Sequence, residues 1–115
     1  MTIQTQEHTQ LDTLATLIHS LSDTTRLAII HNLATKEARV SDLVERLGLA
    51  QSTISAHIAC LKDCGLVKGR PEGRQIFYSL TTSRITHLLH DAEAILEQTN
   101  QAVTHCSVFG DGCEC

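Results

Sequence analysis

Apolar residues recur every three or four positions along most of the chain, which is the spacing that places them on one face of an α-helix. The first such run extends from Leu11 to Leu21, and its apolar face is wide for so short a helix. We expect this face either to cover a subunit interface or to pack in an ordinary core. A second helix should follow Ser22 or Asp23, since either side chain can cap it. Its apolar positions are Leu27, Ile29, Ile30 and Leu33.

Two short helices around a glycine-containing turn are predicted next. The third helix spans Val40–Leu47 and ends at Gly48. The fourth begins near Gln51, with Ser52 as its N-cap. It stops at Gly65, because glycine adopts the left-handed cap conformation without penalty. Two helices joined by so short a connection form a helix-turn-helix pattern.

The chain then changes to a β-prone pattern. Runs at residues 66–68 and 75–80 flank a segment rich in Gly and Pro, which predicts a hairpin. A hairpin that directly follows a helix-turn-helix is a wing. A last long helix, capped within residues 81–83, carries one apolar face from Ile85 to Val103. Such a face would overhang a small domain, and pairing with a second copy is the simplest way to bury it.

These patterns predict a mainly α fold with a small β-hairpin, namely a winged helix-turn-helix that dimerises through its first and last helices. A chain of 115 residues fits one compact domain. We place this DNA-binding and dimerisation domain at residues 10–105. A flexible arm at residues 1–9 should precede it, and a Cys-rich tail at residues 106–115 should follow.

Charge and hydropathy narrow the choice of partners. No run is long and apolar enough to span a membrane, and the polar start has no hydrophobic signal core, so we expect a cytoplasmic protein. A net charge of −4 argues against an indiscriminate nucleic-acid binder. However, the segment 62–74 is net positive, as a localised DNA contact would require.

The first turns of the fourth helix are the candidate DNA-reading surface, because a recognition helix enters the major groove with its N-terminal residues. Hydroxyl and amide groups can hydrogen-bond base edges or phosphates, and alanine permits close approach. The candidates on this helix are Gln51, Ser52, Thr53, Ser55, Ala56 and His57. On the wing, Arg70, Arg74 and Gln75 should contact phosphate or the minor groove. Simple solvent exposure is the alternative for all of them, and packing is an equal alternative for His57.

Two cysteines lie at the rear of the same helix. Cys60 and Cys64 are one helical turn apart, so their side chains should be neighbours. Thiolates select soft, thiophilic ions over magnesium or calcium. The helix dipole at a C-terminus opposes a thiolate, so we expect protonated thiols that lose protons when metal binds. The alternative is that both cysteines are small buried hydrophobic residues.

Several blocks of the sequence resemble the ArsR-type metal-sensing repressors. The segment 21–30, LSDTTRLAII, is similar to the signature of that family, and the blocks at 40–43, 52–58 and 72–78 match its later motifs. The resemblance covers about residues 11–104. It implies a dimeric winged helix-turn-helix repressor that leaves its operator when an inducer binds.

The inducer sites of that family differ between branches. The arsenic and cadmium site on the third helix would need cysteines where Arg39 and Ser41 stand. The zinc site on the last helix would need a carboxylate and histidines, whereas the aligned residues here are Thr82, Arg84, Ile95 and Gln98.

What remains resembles the cadmium/lead-sensing CmtR-like branch. That branch has a Cys-x-x-x-Cys pair at the end of the recognition helix, which Cys60 and Cys64 match, and a third cysteine just beyond the last helix. Cys106 falls close to this third position, and the resemblance implies that the third ligand comes from the partner subunit. Three thiolates suit Cd(II), Pb(II) or As(III) as the inducer better than Zn(II), which prefers four ligands. No organic cofactor is expected.

Other residues are weaker candidates for metal binding. Cys113 and Cys115 form a Cys-x-Cys clip that would be accessory, and His105 would be a fourth ligand. A zinc sensor could instead use His87 and His90 on the last helix.

Two further functions stay open as alternatives. A thiol redox or sulfide-sensing repressor of the same fold would use a Cys64–Cys106 bridge. A metal-buffering protein would use the tail clip, but it would leave the wing unexplained. A thiol enzyme is disfavoured, because no Cys/His/acid set or phosphate loop stands out in the sequence.

Overall fold

A computed structural model describes the backbone of residues 2–106 and the side chains of residues 9–106. The described chain is mainly helical with one two-stranded antiparallel sheet, as the sequence predicts. The elements in order are α1 (Thr2–Ser20), α2 (Thr24–Leu33), α3 (Val40–Leu47), α4 (Gln51–Asp63), β1 (Val67–Glu72), β2 (Gln75–Leu80), α5 (Arg84–Gln98) and a 3-10 turn (Ala102–His105).

Local signals set most helix ends. The Asp23 carboxylate accepts a hydrogen bond of 3.0 Å from the Arg26 backbone N–H and so caps α2. Gly48 ends α3 with a φ of 67°, and Gly65 follows α4 with a φ of 79°. Three of the predicted helix boundaries are therefore confirmed.

The predicted N-cap of α4 is wrong. The helix begins at Gln51, so Ser52 lies within its first turn. The N-cap is Ala50, whose side chain makes no capping hydrogen bond. The Ala50 backbone is extended, and its carbonyl accepts the Ile54 N–H at 3.1 Å. Backbone geometry alone therefore starts this helix, and the Ser52 side chain is left available at the surface.

The core is aliphatic and is built around α4. This helix packs against α2, α3 and β1. Its apolar face is buried through Ile54, Ile58 and Leu61, with exposures of 0%, 3% and 0%. The other large, fully buried side chains are Ile29, Ile30 and Leu43. Because one face of α4 is fixed in the core, its opposite face is directed outward.

The hairpin is longer than predicted. β1 continues to Glu72, which lies opposite Gln75, so only Gly73 and Arg74 remain as the turn. Gly73 takes a φ of 62°, which suits this tight connection. Pro71 is tolerated because each strand of a two-stranded sheet has an outer edge where no ladder partner is needed.

The hairpin is also joined to the connection between α2 and α3. The Ala38 N–H donates to the Tyr78 carbonyl at 3.0 Å, and the Tyr78 N–H donates to the Ala38 carbonyl at 2.8 Å. On the sheet itself, a Cβ atom at Gly69 would lie 2.9 Å from Ile76 Cγ2, so glycine lets the Ile76 side chain close over β1. The wing is therefore held to the helical core by backbone as well as by side chains.

The last helix is shorter than predicted. It ends at Gln98, because Asn100 and Gln101 take positive φ values of 54° and 60° that interrupt the helix before Val103. α1 begins at Thr2, well before the first residue of its apolar pattern. The predicted flexibility of residues 1–9 stays a prediction.

The described chain divides between Thr82 and Ser83 into two compact units. The first unit holds α1 to α4 and the hairpin, and the second holds α5 and the 3-10 turn. Within residues 2–106, no helix has the length and apolar character needed to cross a membrane. Cys113 and Cys115 lie outside the described residues.

Candidate metal centre and nucleic-acid interface

The first turns of α4 form a polar surface. Gln51, Ser52, Thr53 and Ala56 are exposed, because the core face of the helix is taken by its isoleucines and Leu61. The structure therefore places four of the six predicted DNA-reading residues at the surface of one helix end. Ser55 and His57 are half-buried at the edge of this surface.

His57 also contacts a neighbouring helix. Its Nε2 atom lies 3.9 Å from Oδ2 of Asp23, the N-cap of α2. The pKa of Asp23 is lowered, chiefly by the hydrogen bond from the Arg26 N–H and further by the nearby charge of His57. The contact fits a packing role for His57 as well as a DNA-reading one.

The two arginines of the hairpin differ in whether they are ion-paired. Arg74 and Gln75 are exposed at the tip, and Arg74 makes no ion pair within residues 9–106. Arg70 instead pairs with Glu37 and Glu72, which raise the pKa of its guanidinium. Sequence reasoning missed Glu37, because it lies 33 positions before Arg70 and no local spacing connects the two residues.

The two thiols of α4 lie together at the end of the helix. Cys64 is the C-cap, and its N–H donates to the Cys60 carbonyl at 3.0 Å. Both are free thiols, and they lie close enough for Cys60 to act on the Cys64 thiol. Cys60 is half-buried and Cys64 is exposed. Two adjacent sulfur donors at an accessible helix end fit a thiophilic ion.

The pKa of the Cys64 thiol is raised. The main cause is partial loss of hydration at the sulfur, followed by the neighbouring Cys60 and by Asp63. The charge of Arg26 acts in the opposite direction. The direction agrees with the one that the sequence predicts from the helix dipole.

The described part of one chain contains three free thiols but does not gather them into one metal centre. No three His, Cys, Asp or Glu side chains within residues 9–106 gather closely enough to hold a metal ion. Cys106 is half-buried directly after the 3-10 turn, and His105 beside it is exposed. His87 and His90 on α5 likewise belong to no group of three potential metal ligands within residues 9–106. Within residues 9–106 of one chain, the α4 pair is therefore not part of a group of three such side chains.

The end of α4 is hydrogen-bonded to the last residues of the first unit. The Thr81 hydroxyl donates to the Gly65 carbonyl at 2.8 Å, and the Thr81 N–H donates to the Leu66 carbonyl at 3.0 Å. Sequence reasoning treated Thr81 only as a possible cap of the last helix, whereas the N-cap of α5 is Ser83. The thiol pair is thus linked to the segment that directly precedes α5.

The helix-turn-helix segment of the chain matches a known protein family. Residues 23–68 match the family described as "Bacterial regulatory protein, arsR family". The matched region runs from the cap of α2 into the hairpin and includes both α4 thiols.

Two curated relatives are similar over much of the chain. A "Probable mercury resistance operon repressor" of Streptomyces lividans is 31% identical over 105 residues, covering 90% of this chain and 84% of that protein. The "HTH-type transcriptional regulator CmtR" of Mycobacterium bovis is 40% identical over 76 residues, covering 66% of this chain and 64% of its own length. The match therefore spans just under two thirds of CmtR.

A solved structure shares the fold. It is the homodimeric winged helix-turn-helix DNA-binding domain of Mb0332 from Mycobacterium bovis, described as a possible ArsR-family transcriptional regulator. The TM-score is 0.71 and the identity is 27%, over 80% of this chain and 85% of that chain.

The raised pKa of Cys64 leads to a prediction about its reactivity. Replacing Cys60 with Ala removes the neighbouring sulfur, so the pKa of the Cys64 thiol should fall and its alkylation near neutral pH should become several-fold faster. The rate of iodoacetamide labelling of the Cys64 peptide, followed by mass spectrometry across a pH series, measures this. Cys106→Ala is the matched control and should leave the rate unchanged. An identical rate–pH curve for Cys64 in wild type and Cys60→Ala would contradict the prediction.

Proposed function

The chain belongs to the arsR family of bacterial regulatory proteins, and from this premise we propose that it is a metal-responsive transcriptional repressor. It acts in the cytoplasm as a homodimer on operator DNA. It is released when a thiophilic metal ion binds Cys60, Cys64 and a third cysteine. Its named relatives are transcriptional regulators rather than enzymes, in agreement with the sequence prediction.

One observation carries the proposal: a single helix presents a polar surface at one end and two neighbouring free thiols at the other. α4 has 13 residues and is therefore about 20 Å long. Both ends lie on one rigid element whose apolar face is buried. An event at the thiols thus acts on the same body that would read DNA.

The DNA contacts follow from which side chains are exposed. Gln51, Ser52, Thr53 and Ala56 would face the major groove, with Ser55 and His57 at the margin. Arg74 and Gln75 at the hairpin tip would contact phosphate or the minor groove.

The metal ligands are the α4 pair together with Cys106. Cys60 and Cys64 would hold the ion on the recognition helix, and Cys106 would complete a trigonal sulfur set from the partner subunit. When bound, such an ion would supply a strong, pH-dependent cross-link between thiolates. Cd(II), Pb(II) and As(III) suit this donor set. Cys113, Cys115 and His105 are accessory candidates.

The homodimer is proposed from two exposed apolar faces. On α1, Leu11, Leu14 and Ile18 are 62%, 49% and 54% exposed. On α5, Leu88 and Ile95 are 43% and 59% exposed. Helices with exposed apolar stripes bury them against a partner, and the related Mb0332 domain is described as homodimeric. A second copy of this chain is the partner that we propose.

The proposed coupling runs through the end of α4. Thr81 links this end to the segment preceding α5, and Cys106 lies beyond α5. Ligands from both places would tie the recognition helix to the dimer frame and favour one separation of the two helices. A coupling free energy of about 1–3 kcal/mol is typical of such linkage. The family resemblance implies that the favoured separation mismatches the operator.

The alternatives have less support. A redox or sulfide sensor needs a readily ionised thiol, whereas the pKa of Cys64 is raised. A zinc sensor built on the last-helix site of the family would need a carboxylate and histidines, whereas the aligned residues here are Thr82, Arg84, Ile95 and Gln98.

We predict that Leu14→Glu weakens dimerisation about tenfold or more, because it places a carboxylate in the apolar contact. Sedimentation equilibrium over a concentration series measures the dimer dissociation constant. Thr13→Glu is the matched control, since Thr13 is exposed on an adjacent face of α1, and it should dimerise like wild type. A Leu14→Glu protein that dimerises as tightly as wild type would argue against this interface.

We predict that Arg74→Ala weakens binding to all DNA sequences and reduces the slope of log affinity against log salt by about 0.9, the value for one lost phosphate contact. The measurement uses the tightest duplex selected from a random-sequence pool, together with an unrelated duplex. Arg74→Lys keeps the charge and should keep the slope. An unchanged slope in Arg74→Ala would sink this assignment.

We predict that the reduced protein develops an intense thiolate-to-metal absorption band on titration with Cd(II). Cys60→Ser and Cys64→Ser should each lose most of this band, because each removes one of the two adjacent donors. The double variant Cys113→Ser with Cys115→Ser should keep it. A band that disappears only in the tail variant would move the site away from α4.

A further inference from the structure

We propose that Arg70 positions the wing instead of contacting DNA, and that its partner Glu37 holds the hairpin at a fixed angle to the helical core. The group formed by Glu37, Arg70, Glu72 and Phe77 is called the wing clamp below. Its role in operator binding rests on the proposed function, whereas its existence in the free protein does not.

Each of the three guanidinium nitrogens of Arg70 has a carboxylate partner. Its Nε donates to Glu37 Oε2 at 3.3 Å, and its Nη2 donates to Glu37 Oε1. Its Nη1 lies 2.9 Å from Glu72 Oε2. A planar fork that binds one carboxylate through two nitrogens defines direction as well as distance. The α2–α3 connection and β1 are therefore joined in one orientation.

An aromatic ring supports the same group. Phe77 lies opposite Arg70 in the strand register, and the guanidinium stands 5.2 Å from the centre of the Phe77 ring. The guanidinium of Arg39 stands 5.8 Å from the same ring and is itself paired with Asp42. Stacking on an aromatic face adds to the ion pair and limits the rotamers of Arg70.

The clamp lies directly beside the backbone bridge between loop and hairpin. Glu37 precedes Ala38, and Phe77 precedes Tyr78, the two residues that exchange backbone hydrogen bonds. Side chains and backbone therefore secure the hairpin at one place, three to four positions from Arg74. The location of the tip relative to α4 depends on this attachment.

Charge at the clamp opposes a phosphate contact. One guanidinium stands between two carboxylates, so the local charge is net negative. A phosphate that approached Arg70 would have to displace Glu37 or Glu72. By contrast, Arg74 and Lys68 are exposed, and within the described side chains neither has an ion-pair partner. Arg74 and Lys68 can therefore neutralise phosphates and release counterions from the DNA. The positive charge of Arg70 is already neutralised by the carboxylates of Glu37 and Glu72.

If the wing clamp positions the hairpin, Glu37→Ala should change the DNA affinity in the opposite direction from the one that charge alone predicts. Glu37→Ala removes a negative charge near DNA, which would strengthen binding if charge alone mattered. We expect Glu37→Ala and Arg70→Ala each to weaken operator binding, by about threefold to tenfold. Both should keep the salt slope of wild type, because neither removes a phosphate contact. Arg74→Ala is the comparison, since it should reduce the slope.

A double-mutant cycle tests the partnership itself. Glu37→Ala combined with Arg70→Ala should lose less affinity than the sum of the two single losses, because each single variant already breaks the same pair. Tighter binding by Glu37→Ala, a slope reduced by about 0.9 in Arg70→Ala, or fully additive losses in the double variant would each overturn the proposal.

A measurement without DNA separates the clamp from the proposed function. Amide hydrogen exchange at the Ala38 and Tyr78 N–H groups should accelerate in Arg70→Ala and Glu37→Ala, and stay unchanged in Arg74→Ala. If Arg70→Ala leaves this exchange unchanged, the clamp is wrong whatever the DNA data show. If exchange responds as expected but the wild-type protein binds no selected duplex, the proposed function fails while the clamp stands. The Arg70 and Glu37 side chains are 51% and 39% exposed and lie outside the aliphatic core, so these variants should fold.

Discussion

The burial of one face of α4 is the constraint on which the other features depend. Ile54, Ile58 and Leu61 fix the rotation of this helix in an aliphatic core. Because a helix is rigid, fixing one face also fixes the direction of every other side chain on it. The polar residues of its first turns face outward, and its two cysteines lie side by side at its last turn. The candidate DNA-reading residues and the candidate metal ligands therefore lie on the same helix, α4.

This arrangement explains how a local binding event could reach DNA. The two thiols lie at the end of α4, and the residue that follows them, Gly65, accepts a hydrogen bond from Thr81 in the chain leading into α5. The wing is attached separately, through the Ala38–Tyr78 bridge and the Glu37–Arg70 pair. The two DNA-facing elements therefore have different anchors. Ligand binding at the thiols would act on the recognition helix first and leave the wing attachment in place.

The sequence correctly predicts the features that depend on residues close together in the chain. Asp23, Gly48 and Gly65 end or begin helices through their own side chain or lack of one, and the apolar spacing identifies the core face of α4. The pairing of Glu37 with Arg70 depends on tertiary contact over 33 positions, so no spacing indicates it. The early end of α5 depends on positive φ values at Asn100 and Gln101, which non-glycine residues rarely signal. The thiol pair is visible in the spacing of the sequence, whereas Cys106 is named as a third ligand only through the family resemblance.

Metal at the α4 thiols and operator DNA should oppose each other on one protein. The direct measurement is the affinity of the reduced protein for its selected duplex, by fluorescence anisotropy, with and without saturating Cd(II). We expect Cd(II) to weaken DNA binding by about 5-fold to 150-fold. We also expect DNA to weaken Cd(II) binding by the same factor, and Cys60→Ser to remove both effects. Equal DNA affinity with and without Cd(II), or a release that persists in Cys60→Ser, would show that metal at these thiols does not control DNA binding.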